Sequence, residues 1–336
     1  LLHTARSIVA HHRLSAQDRG FCPLPLFHIN AQVVGLLSTF VAGATLVVDD
    51  RFHRAGFWTL MEEHQVSWIN AVPAIIARLI PLGVGEQASS RIRFVRSASA
   101  PLPVATLRWF ERDTGIPVIE TYGMTEAGSQ ITANPLEGPR KPGSVGRAVG
   151  ASLRIAPCGK GGSETGVGAD PEIGRVEIRG PGIITAYADG RHGDRFDDAG
   201  WLDTGDLGRL DDDGYLYLRG RVDDVINRGG EKVYPRTVED VVLEEPDVLA
   251  AAVIGRDDET LGQVPVAYLV VKSVHGPPEL DLAAAAVERV RRRCETSLYR
   301  AARPIAFHVV DALPWGGIGK VRRHELAECI VICTVP

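Results

Sequence analysis

At 336 residues, with 45% hydrophobic and 24% charged positions, the chain is long enough to bury a sizeable core and to divide into at least two domains. A formal net charge of -5 and a pI near 6.1 supply no basic field for a phosphate backbone, which argues against nucleic acid as a partner. No apolar run approaches the roughly 20 residues of a membrane-spanning helix, and Leu1-Leu2-His3-Thr4 is not the start of a signal peptide, so no integral membrane segment and a cytoplasmic location are expected.

The chain opens on a helix-like stretch, residues 4–12, without an initiating Met, as expected of a piece of a longer protein. From Phe21 to about Glu120, short β-like runs at 45–48, 67–69, 94–95 and 117–119 alternate with helix-like runs at 32–40, 55–64, 74–79 and 104–113. That rhythm predicts an α/β layer with a mostly parallel sheet, whose ligands bind at the carboxyl ends of the strands. Beyond Asn134, strands at 152–155, 175–179 and 215–219 are separated by Gly and Pro, which predicts a β-rich subdomain. Past Arg221 come a helix at 237–244, strands at 251–254 and 266–271, a helix at 282–295 and a strand at 305–310, a small α+β domain. The expected fold class is therefore α/β: a partial large N-terminal domain, mostly parallel sheet with helices plus a β-rich subdomain, followed by a small α+β C-terminal domain. The expected boundaries are 1–134, 135–221 and 222–336.

The five cysteines, Cys22, Cys158, Cys294, Cys329 and Cys333, are odd in number and lack paired metal-ligand spacing, so they are expected to be reduced and structural. Two segments imitate sites. The run from Gly159 to Gly166 looks like a phosphate cradle, yet Lys160 is followed by Gly161 rather than Ser or Thr, so 159–170 reads as a surface loop. Asp211-Asp212-Asp213-Gly214 lacks a full calcium ligand set and lies between two alternating apolar runs, so it reads as a hairpin turn. The apolar tail Cys329-Ile330-Val331-Ile332-Cys333 has no evident role: packing as a strand, a dimer contact and a frame artefact all stay open.

The chemistry gathers in three segments. In Tyr122-Gly123-Met124-Thr125-Glu126, an aromatic can lie on a purine, a glycine lets backbone approach, a hydroxyl can bond phosphate, and a carboxylate offers hard oxygens to Mg²⁺. Alone it would be a tight turn with an exposed acid. Downstream, Asp206 in Trp201-Leu202-Asp203-Thr204-Gly205-Asp206-Leu207-Gly208 can accept both hydroxyls of a ribose, and Arg221, opening the run from Gly220 to Lys232, offers planar donors. Together YGMTE, GWLDTGDLG and GRVDDVINRGGEKVYP resemble the ordered core motifs of the adenylate-forming superfamily. The segments 23–28, 96–102, 141–146 and 174–181 carry further similarity, as does the closing run Leu313-Pro314-Trp315-Gly316-Gly317-Ile318-Gly319-Lys320, in which Gly316 and Ile318 stand where Thr or Ser is usual.

The resemblance to acyl-CoA synthetases implies that a carboxylic acid, ATP and CoA give acyl-CoA, AMP and pyrophosphate through an acyl-adenylate. It implies Lys320 as the catalytic lysine, Thr125 on phosphate and Glu126 on Mg²⁺. Ser99, Ala100, Tyr122 and Gly123 would face the nucleotide, with Asp206 on the ribose and Arg221 on ribose or phosphate. Asp223 would be the hinge, and Gly229-Gly230 would line the path of the thiol. The acyl pocket would include His28, Asn30, Val72, Ala127, Gly128 and Ser129, a half-buried satisfied imidazole being the competing reading of His28. The stretch 125–135 looks most like the oxalyl-CoA synthetase-like branch and its bacterial relatives. That branch carries histidines where this chain has Asn30 and Ser129, which implies a short- or medium-chain monocarboxylic acid rather than oxalate. Family members also carry, upstream of the region equivalent to Leu1, a Ser/Thr/Gly-rich loop that grips the β- and γ-phosphates and is not matched here. Two alternatives stay open: a stand-alone adenylating enzyme loading a carrier protein, and a truncated relative that binds without catalysis.

Overall fold

The computed structural model describes residues 1–82, 90–157, 172–190, 192–272, 280–316 and 320–335. The loop expected at 159–170, Cys158 and residues 317–319 of the closing run lie outside them. The chain divides into two compact units, one of Leu1–Arg154, Val176–Thr204 and Leu210–Tyr217, the other of Ile155–Arg175, Gly205–Arg209 and Leu218–Pro336.

The first unit holds a seven-stranded sheet. Its strands are β1 (Arg19–Cys22), β2 (Thr45–Val48), β3 (Trp68–Ala71), β4 (Phe94–Ser97), β5 (Val118–Met124), β6 (Ser129–Ala133) and β7 (Arg147–Ala148), in the order β2-β1-β3-β4-β5-β6-β7. The first five pair in parallel and the last two join antiparallel. Strands β3 and β4 are buried at every position, as a parallel sheet covered on both faces requires.

One face packs Phe21, Ile69 and Val95 against α3 (Phe57–Glu63), α4 (Pro73–Leu79) and α5 (Val104–Thr114), through Met61, Ile76 and Phe110. The other packs Trp68, Phe94 and Ile119 under Ile8 of α1 (Leu2–His12) and Val33 and Val34. The helix starts and stops follow local chemistry. Pro73 opens α4 after the extended Val72, and Gly115 closes α5 at φ 68°.

The alternation read from the sequence is present, with two departures. Strand β1 was not anticipated: Arg19 and Gly20 interrupt any apolar run there, and Gly20 leaves the room that the Trp68 indole fills. The helix expected at 32–40 is a π-helix, Asn30–Leu37, continued by α2 (Ser38–Ala42). The Ser38 hydroxyl donates to the Val34 carbonyl and Thr39 Oγ1 to the Gly35 carbonyl at 2.5 Å, back-bonding that disturbs a regular ladder.

Strands β8 (Ser152–Ala156), β9 (Gly174–Arg179), β10 (Leu202–Leu210) and β11 (Leu216–Arg221) form a four-stranded sheet in the order β11-β10-β9-β8. The acidic run 211–214 is the turn between β10 and β11: Gly214 N–H donates to Asp211 O at 2.8 Å, and Lys141 Nζ bonds Asp211 at 2.7 Å and Asp213 at 2.6 Å.

The second unit holds β12 (Ile226–Arg228), β13 (Glu231–Val233), β14 (Val248–Asp258), β15 (Gly262–Val271), β16 (Ala306–Val310) and β17 (Val331–Val335). Its path is β13-β12-β15-β16-β17, with β14 also on β15. Helices α6 (Pro235–Val242) and α7 (Leu280–Ser297) cover one face through Val238, Val242, Val287 and Val290. The apolar tail resolves as β17, antiparallel to β16. Among the described residues no helix is long and apolar enough to cross a membrane.

Candidate functional site

In the first unit, the predicted residues meet at the carboxyl ends of β3, β4 and β5. Strand β5 runs out through Tyr122 and Gly123 into a single 3₁₀ turn, Thr125–Ala127, and the chain returns as β6. Thr125 is exposed, Glu126 half-buried and Tyr122 buried. The turn is tight enough to dictate its glycine: a Cβ at Gly123 would lie 1.5 Å from the Ser129 carbonyl oxygen. Ser99 and Ser129 hold positive φ angles of 73° and 99°, a conformation that L-residues rarely adopt and that clusters where a ligand is gripped.

Glu126 is held by residues that the sequence did not single out. Tyr187 Oη donates to Glu126 Oε1 at 2.9 Å and accepts from Arg195 Nη1 at 2.6 Å. Arg195 also donates to the Asp203 carbonyl from Nε at 2.9 Å and Nη2 at 2.7 Å, and its Nη1 lies 3.7 Å from Glu126 Oε1. Burial, then the Glu126 carboxylate, pushes the Tyr187 phenol above its usual range, so it stays a donor. Mg²⁺ takes hard oxygens, commonly one or two carboxylates completed by substrate phosphates, and a half-buried, pre-oriented Glu126 beside the exposed Thr125 suits that pattern.

The expected acyl-pocket residues surround β4. Asn30 opens the π-helix, Val72 caps α4, Ala127 ends the 3₁₀ turn, and Gly128 and Ser129 follow it. His28 is half-buried, and its Nδ1 accepts from Asn30 N at 3.3 Å. Asn30 Nδ2 reaches Ser99 Oγ at 3.4 Å, which ties the expected acyl and nucleotide residues together; Ala100 follows at the end of β4, half-buried. Arg96 sits behind them. It belongs to a segment that carried part of the resemblance, yet only its burial sets it apart, and burial is invisible in a single sequence.

In the second unit, Arg221 Nη1 donates to Asp206 Oδ1 at 3.3 Å, so those two predicted residues are brought together. Asp223 is exposed in the 3₁₀ turn Val222–Asp224. Gly229 and Gly230 form the two-residue turn between β12 and β13 with φ 59° and 92°, both positive as such a hairpin requires. Lys320 is exposed beside an isolated antiparallel bridge: Trp315 bridges Val321, Gly316 N donates to Lys320 O at 2.7 Å, and Arg322 N to Pro314 O at 2.8 Å. Arg323 fastens this end to α6, its Nη2 donating to the buried Glu239 Oε1 at 2.5 Å.

Residues 1–188 match the family model described as AMP-binding enzyme, and residues 237–320 that of the AMP-binding enzyme C-terminal domain. The chain is 38% identical to a sulfoacetate–CoA ligase of Cupriavidus necator, over 97% of this chain and 63% of that protein. It is 35% identical to an oxalate–CoA ligase of Arabidopsis thaliana, over 98% of this chain and 63% of that protein. The solved structure of o-succinylbenzoate CoA synthetase from Bacillus subtilis, in complex with its acyl-adenylate intermediate, matches with a TM-score of 0.80 at 32% identity, over 97% of this chain and 64% of that one. The chain thus spans about 63% of the length of these curated relatives. With one family model covering its first 188 residues and a second following in order, the chain belongs to the AMP-binding enzyme family.

Proposed function

We propose that the protein containing this chain is an ATP-dependent acid–thiol ligase, which joins a small carboxylic acid to AMP with release of pyrophosphate and then passes the acyl group to CoA. The observation that carries the reading is the turn after β5, where a pre-oriented carboxylate, Glu126, stands next to an exposed hydroxyl, Thr125. The relatives named above are CoA ligases, and one was solved with an acyl-adenylate, which supports both half-reactions and favours CoA over a carrier protein as acceptor.

In this reading the acid's carboxylate oxygen attacks the α-phosphorus, the bond to the β-phosphate breaks, and pyrophosphate leaves. Glu126 would hold Mg²⁺, which when bound would supply positive charge to the phosphates. Thr125 bonds a phosphate oxygen, Ser99, Ala100 and Tyr122 receive the adenine, Gly123 lets the backbone approach the nucleotide, and Asp206 takes the ribose hydroxyls with Arg221 beside it. Lys320 supplies a cation to the reacting carboxylate and α-phosphate. The C-terminal part, 222–336, then turns about Asp223 and presents Gly229-Gly230 to the thiol, which attacks the acyl carbon and expels AMP. The parts 1–134 and 135–221 serve as the nucleotide-handling base, and a cytoplasmic location fits substrates of this kind.

The test is ATP–pyrophosphate exchange by the whole protein over a panel of acids, followed by thioester formation with CoA and with carrier protein. Acid-dependent exchange with CoA-dependent thioester supports the reading. Nucleotide binding without exchange for any acid would sink it and favour a non-catalytic relative.

A further inference from the structure

Arg96 lies on β4 and is 1% exposed. Its side chain shares a face of the sheet with Asn70, its register partner on β3. Nη1 donates to Asn30 Oδ1 at 3.0 Å and Asn70 Oδ1 at 3.1 Å, and Nε donates to Gln130 Oε1 at 3.3 Å. All three acceptors are neutral amides. Among the described residues no carboxylate forms an ion pair with Arg96, whereas a buried cation is ordinarily matched by one. The nearest ionisable groups do not supply the missing charge. Burial pushes the Cys22 thiol up, so it stays neutral, and burial together with Arg96 pushes His11 and His12 down, so they stay neutral. Burial lowers the guanidinium itself to about 9, which leaves it cationic near neutral pH.

The arrangement also fixes which way the amides face. With their oxygens turned to Arg96, their NH₂ groups turn away from it. Asn70 Nδ2 donates to Asn30 Oδ1 at 3.2 Å and reaches Cys22 Sγ at 3.6 Å. Among the described residues, Asn30 Nδ2 makes only the 3.4 Å contact to Ser99 Oγ, and the buried Gln130 Nε2 has no acceptor. The cluster therefore holds one cation and more donors than acceptors. It stands at the carboxyl ends of β3 and β4, beside Ser99 and Ser129 with their strained backbones.

We propose that this cluster selects short acids carrying a second anionic group, a carboxylate or a sulfonate, with Arg96 as a positioning residue that acts through Asn30 and Gln130. The proposal deepens the ligase reading and rests on it. It also revises the substrate expected from the sequence. Asn30 and Ser129 lack imidazoles, which pointed to a monocarboxylic acid, but the charge that imidazoles would bring is supplied from behind by Arg96, and the amides relay it as oriented donors.

The whole protein is assayed by ATP–pyrophosphate exchange with two- to four-carbon dicarboxylates, sulfonated acids of the same lengths and the matching monocarboxylates. One dianionic series is expected to exceed the monocarboxylates by about tenfold or more in kcat/KM, and the series that wins identifies the anion. Gln130→Glu sets a counter-charge against Arg96 Nε. It is expected to keep or raise Tm while cutting the dianion-to-monoanion ratio about tenfold, mainly through KM. Arg96→Met should lose the same ratio and Arg96→Lys recover part of it. Preference for monocarboxylates in the unmodified protein, or an unchanged ratio in Gln130→Glu, overturns the proposal and leaves the ligase reading standing. Exchange with no acid at all overturns both.

Discussion

Tyr187 Oη donates to Glu126 Oε1 across 61 positions of sequence, and Arg195 braces the phenol from behind while its Nη1 stays 3.7 Å from the same carboxylate oxygen. A fixed cation thus stands next to the group assigned to Mg²⁺, and the two positive charges oppose each other. At partial exposure that opposition is on the order of 1 kcal/mol. Arg195→Ala should therefore lower the Mg²⁺ concentration giving half-maximal pyrophosphate exchange by about threefold to fivefold. A Mg²⁺ titration of exchange rate checks it, and a rise in the half-maximal concentration would contradict it.

Lys320→Ala is expected to reduce acyl-AMP formation by a factor on the order of a hundred or more. Thioester formation from supplied acyl-AMP should be spared. Exchange and single-step thioester assays on one preparation separate the two, and equal loss in both would rule out the division of labour.

Gly230→Val places a β-branched residue at φ 92° in the turn between β12 and β13. The cost should be about 1–3 kcal/mol of stability in the C-terminal unit. If the turn lines the thiol's path, thioester formation slows more than pyrophosphate exchange. Thermal unfolding and the two half-reactions provide the readouts.

His12 is fully buried, and burial, then Arg96, holds its pKa well below the usual 6.5. The folded chain keeps the imidazole neutral while the unfolded chain protonates it. Stability from this group is complete above about pH 6.5 and is lost as pH falls below it, by about 1.4 kcal/mol per pH unit. Denaturant unfolding between pH 7.5 and 5, in steps of roughly half a unit, should show that slope, and His12→Leu should flatten it. An unchanged slope in the variant would assign the acid sensitivity elsewhere.

Much of this was legible in the sequence because it is local. Apolar runs of strand length, the acidic turn at 211–214 and the ordered motifs are written in neighbouring residues. What escaped is non-local or depends on burial. Tyr187 and Arg195 reach Glu126 only through the fold, and nothing in the intervening residues records the meeting. Arg96 reads like any strand-flanking arginine until the sheet closes over it. The apolar tail, ambiguous as a string, acquires its role only when β16 offers an edge.

A Cβ at Gly123 would fall 1.5 Å from the Ser129 carbonyl oxygen, so the main chain from Tyr122 to Ser129 is locked as one piece. Ser129 is itself buried and held at φ 99°, so neither end of the turn can be rebuilt without moving the other. A single hydrogen atom at Gly123 thus couples the placing of Thr125 and Glu126 to that of the Ser129 side chain.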